Sequence, residues 1–138
     1  MNTKTIYITE FDIERLEELM DGAKKNYLRD IDDLNKLEEE LEKFQIVDSR
    51  EIPPDVVTLN SRVRLRDLDA DREMIVTLVF PRSANLAEGR LSVASPIGTA
   101  ILGYAAGDTI EWQVRAGTKR IRIEEVLYQP EAAGDFHL

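Results

Sequence analysis

Three acids crowd one short stretch of this 138-residue chain: Asp30, Asp32 and Asp33. Asp30 and Asp33 are one helical turn apart and would share a face. Carboxylates so placed can complement the positive end of a helix dipole, each by about 0.3–1 kcal/mol. They can also offer oxygen ligands to a divalent cation held elsewhere, because Mg²⁺ is commonly bound by one or two carboxylates plus other oxygens. Little else in the chain could do chemistry. The sole histidine, His137, sits beside the last residue, where a structural or neutral role is expected. Cysteine is absent, which excludes a Cys-His pair and a His-Cys metal cluster, and any Ser-His pair would have to draw on His137 at the chain end. Gly98 and Gly103 have the gap of a phosphate-binding loop, yet Tyr104 and Ala105 stand where Lys and Ser/Thr are required. Helix contact and helix exit explain those glycines better. The residues therefore suggest no catalytic group, no metal ligand set, no cofactor and no enzyme.

A second group is basic. Arg62, Arg64 and Arg66 alternate with Val63 and Leu65. Such a stripe can grip an acidic protein surface through bidentate carboxylate pairs. It can equally be the solvated face of an edge strand, where charge discourages sheet-to-sheet association. Trp112 stands apart from the other aromatic residues, and a base-stacking platform needs several with a basic groove.

These residues need elements to position them. Thr9 suits the N-cap of a helix over roughly 10–22, with Asp12 in its first turn and Ile13, Leu16, Leu19 and Met20 at helical spacing; Gly22 would end it. A second helix is expected from about Arg29 or Asp30, with Leu34, Leu37, Leu41 and Phe44 forming the seam of a short coiled coil. Two such helices pack most simply as an antiparallel hairpin. Pro53 and Pro54 end the helical part. Beyond them the period becomes two, with strands expected around 62–66, 74–80, 91–93, 110–114 and 120–123. Ser95 as cap, Pro96 at the first position and Gly103 at the exit mark one short helix. The expected fold is α+β: a helical hairpin over 1–50, then a small antiparallel sheet module over 51–138.

The charge is uneven. Residues 1–50 hold fourteen acids and eight bases, and the whole chain carries a formal −9. Such a chain is repelled by phosphate backbones, so autonomous nucleic-acid binding is not expected. A basic protein partner, or a cation inside a larger machine, suits the acidic half better. No stretch approaches the roughly 20 apolar residues of a membrane span, and no secretory pattern is visible, so a cytoplasmic protein is expected. The apolar seam would permit a monomer or a weak homodimer.

Three stretches carry a resemblance. LSVASPIGTAILG at 91–103, followed by Gly107-Asp108 and a strand, resembles the C-terminal domain of the Gre transcript-cleavage factors, a fold similar to FK506-binding proteins. PPDVVTLNSRV at 53–63 and YQPEAAGD at 128–135 narrow this to the family of regulators of nucleoside diphosphate kinase. The resemblance implies bacterial RNA polymerase as partner, bound at the rim of its secondary channel by Ser95, Pro96 and Ile97. Ala94 departs from the Asp or Asn of the Gre factors. In those factors a long hairpin carries acids to the catalytic Mg²⁺. Here the helices would be on the order of 20–25 Å long, about half as long, and the Gre tip motif is missing. The leading expectation is a polymerase-binding regulator that competes with longer factors and has no cleavage activity of its own. The alternatives are Gre-like stimulation of transcript cleavage through Asp30, Asp32 and Asp33, and, by fold analogy alone, a peptidyl-prolyl isomerase.

Overall fold

The computed structural model describes residues 6–25, 39, 43–114, 117–135 and 138. The chain opens with strand β1 (Ile6–Thr9), which leads directly into helix α1 (Glu10–Lys25). Thr9 caps that helix as expected: its Oγ1 accepts from the Asp12 backbone N–H at 3.0 Å. The helix runs through Gly22 to Lys25 instead of ending there. One glycine costs a helix only about 1 kcal/mol relative to alanine, and the alanine and lysines that follow are good helix formers. The expected second helix falls on residues outside the described ones, as do Leu34, Leu37 and Leu41.

Phe44 is described, and it does not belong to a coiled-coil seam. It begins strand β2 (Phe44–Val47), which pairs parallel with β1, Ile6 opposite Phe44 and Thr9 opposite Val47. A two-stranded ribbon therefore closes the base of the arm, where helix alone was expected. Four-residue strands with mixed burial carry almost no periodic signal, and a parallel pairing across more than thirty residues is invisible to local pattern.

The rest of the chain forms a five-stranded sheet in the order β5-β4-β3-β7-β6. Its strands are β3 (Arg62–Asp67), β4 (Arg72–Val79), β5 (Arg90–Ser92), β6 (Thr109–Val114) and β7 (Gly117–Tyr128). All five expected strands are present. The sheet is mixed and not purely antiparallel, because β5 runs parallel to β4. Two 3-10 turns, at 81–83 and 86–88, followed by Gly89 at φ +77°, carry the chain back far enough to enter β5 in the same direction as β4. Helix α2 (Pro96–Ile101) follows β5, and a second short helix, α3 (Pro130–Ala133), was not anticipated. Its signal was present: Gln129 caps it, Pro130 opens it, and Gly134 at φ +82° closes it.

Alternation along β3 and β7 buries Val63, Leu65, Ile121 and Ile123 on one face. Ile101 and Leu102 around the end of α2 pack onto that face, and Ile8, Leu16 and Met20 of the arm join the same core. Backbone contacts reinforce the join: the Tyr7 N–H meets the Gly103 carbonyl at 3.4 Å, and the Gly103 N–H donates to Val57 at 2.9 Å. Gly103 holds φ +85°, and a Cβ there would lie 2.2 Å from the Phe44 ring. The root of the arm and the sheet module thus share one interior. Truncating a fully buried leucine costs about 2–5 kcal/mol. Leu16→Ala is therefore expected to lower the unfolding midpoint of the whole chain in a single urea transition; loss of α1 signal alone, with the sheet unchanged, would contradict the shared core.

Candidate functional site: the α2 loop and its apolar groove

The loop from β5 into α2 is held by its own short side chains. Ser95 Oγ accepts from the Gly98 N–H at 3.1 Å and donates to the Ser92 carbonyl at 2.6 Å. Thr99 Oγ1 donates to the Val93 carbonyl at 2.8 Å, and the Ala94 N–H donates to Ser92 Oγ at 3.1 Å. Gly98 allows this closeness: a Cβ there would sit 2.0 Å from the Ser92 carbonyl oxygen. Because the loop spends its polar groups internally, it presents an apolar outside. Pro96 is exposed and Ile97 is half-buried.

Beside that loop lies a groove of about 350 Å³ lined by Leu86, Leu91, Pro96, Ile97 and Ile121, with Ser95, Asp67 and Lys119 completing it. Leu86 stands out: 72% of it is exposed, on the second 3-10 turn. An isolated exposed leucine needs no explanation by itself, but one beside an exposed proline and a half-buried isoleucine makes a surface that a partner can cover. Sequence reading missed Leu86, Asp67 and Lys119. Leu86 sits in a polar loop, and only the fold brings it to α2.

The arginine stripe lies elsewhere. β3 is the central strand, so the edge-strand reading of Arg62, Arg64 and Arg66 is incorrect. Their charges are instead met across the sheet. A shift in the β3–β7 register between Arg64 and Leu65 leaves Glu124 without a partner opposite and puts Glu124 and Glu125 both within reach of this stripe. Arg64 lies 3.2 Å from Glu125; Arg66 lies 3.0 Å from Glu124 and 3.0 Å from Asp71. Arg122 lies 2.8 Å from Glu124 and holds that carboxyl below its ordinary range, while Glu124 and Asp71 raise the Arg66 guanidinium. Each pair is substantially exposed and adds little alone. Arg62 is exposed and has no ion pair among the described residues. Asp30, Asp32, Asp33 and His137 lie outside the described residues.

The other two motif stretches meet one another. Gln129 Nε2 donates to the carbonyls of Pro53 and Val56, both at 2.8 Å. Thr58 Oγ1 donates to Glu131 Oε1 at 2.7 Å, and the Tyr128 hydroxyl donates to Asp135. PPDVVTLNS and YQPEAAGD are therefore two sides of one seam, which lies against the root of α1.

Residues 52–128 match the family model of the C-terminal domain of transcription elongation factors GreA and GreB, and residues 4–47 match that of the Rnk N-terminus. The chain is 39% identical to the regulator of nucleoside diphosphate kinase of Escherichia coli K12 over the full length of both. This chain belongs to the family of regulators of nucleoside diphosphate kinase. Within the wider group, it is 37% identical to transcription elongation factor GreA of Clostridioides difficile over 106 residues, covering 77% of this chain and 67% of that one. A solved GreA/GreB elongation factor from Nitrosomonas europaea aligns with a TM-score of 0.70 at 42% identity, over 90% of this chain and 100% of the other. The mixed α+β architecture of the family member described here is thus shared with that structure.

Replacing an N-cap serine by alanine costs about 1 kcal/mol. Ser95→Ala is expected to lose about that much stability in denaturant titrations. Pro96→Ala, at an exposed position, should stay within about 0.5 kcal/mol. Equal losses for both would show that the loop is not held as described.

Proposed function

We propose that this family member is a non-enzymatic transcription regulator that binds bacterial RNA polymerase, seating the α2 loop and its groove on the rim of the secondary channel. The observation that carries the reading is the internally hydrogen-bonded loop whose outward face is apolar, formed by Pro96 and Ile97 beside the exposed Leu86. Ser95 shapes the loop, and Pro96, Ile97 and Leu86 make the contact. The kinship with proteins named as transcription elongation factors supports a polymerase partner. In this reading the N-terminal arm is a helical hairpin rooted on the β1–β2 ribbon, and 51–138 is an FKBP-like anchor. The hairpin occupies the channel mouth without reaching the catalytic metal, so the protein competes with longer factors and stimulates no cleavage. The isomerase alternative has little to support it, since none of the side chains lining the groove is aromatic.

Core RNA polymerase should retain the wild-type protein in a pull-down. Leu86→Glu and Pro96→Ala should each weaken retention, the charge substitution by tenfold or more, which is about 1.4 kcal/mol. Absence of wild-type binding, or variants that bind as well as wild type, would refute the docking surface. In a backtracked elongation complex the protein should leave the cleavage rate at its unassisted value; acceleration abolished by Asp30→Asn or Asp33→Asn would favour the Gre-like alternative.

A further inference from the structure

Where α1 meets the sheet module, two buried carboxylates stand with one partly exposed cation. Asp12 is fully buried and Glu131 is 8% exposed. They face consecutive residues of one turn: Asp12 Oδ2 accepts from the Leu59 N–H at 3.0 Å, and Glu131 Oε1 accepts from the Thr58 hydroxyl. The cation is Arg15. Its Nη2 donates to Asp12 Oδ1 and, at 2.9 Å, to the main-chain oxygen of Leu138. Its guanidinium lies over the rings of Phe11, at 3.9 Å, and Phe80, at 4.9 Å. Among the described residues the charged groups that bear on Asp12 are Arg15 from α1 itself and Glu131 from α3. β1 contributes the neutral Thr9, and the turn at 58–61 contributes hydroxyls and N–H groups. The 3-10 turn after β4 carries Arg82, which is exposed.

We propose that Asp12, Arg15 and Glu131 form a proton-operated latch that seats the root of α1 on the sheet module and holds one proton when closed. The imbalance is electrostatic. Two buried carboxylates share one partly exposed guanidinium, and a second carboxylate near a buried Asp12 disfavours its ionisation. Burial pushes the Asp12 carboxyl up to about 6, and Glu131 adds to that; Arg15 and the Leu59 N–H pull the other way without cancelling it. The sign follows. A carboxyl raised in the folded protein favours the closed latch fully below its ordinary pKa of 3.8, and that contribution disappears as pH rises through about 6. Mild acid thus tightens the root of the arm, and neutral to alkaline conditions loosen it. The inference rests on this cluster alone and does not depend on the polymerase reading.

The test is a carboxyl ¹³C NMR titration of the full chain from about pH 4 to about pH 8, with amide shifts followed in parallel. Asp12 is expected to titrate with its midpoint at about 6, and the amides of Leu59 and of the first turns of α1 should move with that midpoint. Glu131→Gln keeps an oxygen for the Thr58 hydroxyl but removes a charge, so it should shift the Asp12 midpoint downward. Three results would each overturn the latch: an Asp12 midpoint near 3.8, no response to Glu131→Gln, or α1 amides that ignore the Asp12 titration. Asp12→Asn serves to identify the resonance; wild type and Glu131→Gln decide the outcome even where Asp12→Asn folds poorly.

Discussion

The burial of one face of the first three turns of α1 governs how the rest of the molecule is organised. Leu16 and Met20 enter the interior formed by Val63, Leu65, Ile121 and Ile123, so the arm cannot leave the sheet module without opening a core. That apolar contact carries a polar one with it. Leu59 is fully buried, and its N–H needs an acceptor. Asp12 supplies it from the first turn of the helix, which buries a carboxylate and draws Arg15, itself partly exposed, to it. The direction in which the arm departs is set by these contacts, with the β1–β2 ribbon and the Phe44–Gly103 contact bracing the other side.

The sheet module divides its labour by face. The inner face is apolar and is covered by α2 and the arm. The outer face carries a lattice of arginines and carboxylates across β3, β4 and β7, where one register shift sets two glutamates among the arginines. Because those charges are largely matched within the chain, the net negative charge is concentrated in the N-terminal third. The groove beside α2 is mainly apolar, with Asp67 and Lys119 also lining it, and the serines and threonine of its loop satisfy their hydrogen bonds internally.

The two stretches that suggested the family, 53–63 and 128–135, acquire a physical meaning in the structure. They need each other: the Gln129 amide fixes the carbonyls of Pro53 and Val56, and Thr58 pairs with Glu131. Glu131 then stands beside the Asp12 site. The motifs are the seam through which the module receives the arm, which gives residues of such modest chemistry a shared structural task.

Local pattern was sufficient for much of this. Thr9 and the spacing of Leu16 and Met20 specify α1; alternation specifies β3 and β7; Ser95 and Pro96 specify α2 down to its capping hydrogen bond. Each of these depends on residues within a few positions of one another, which is the range over which helix and strand periods act. The parallel ribbon of β1 and β2, the parallel entry of β5, the central place of the arginine strand and the arrival of Leu86 at the α2 groove all needed the folded chain. So did the character of Asp12, which reads locally as an ordinary first-turn acid and becomes a buried carboxyl facing residues 59 and 131. Burial and charge pairing are properties of distant segments brought together, and no local period encodes them.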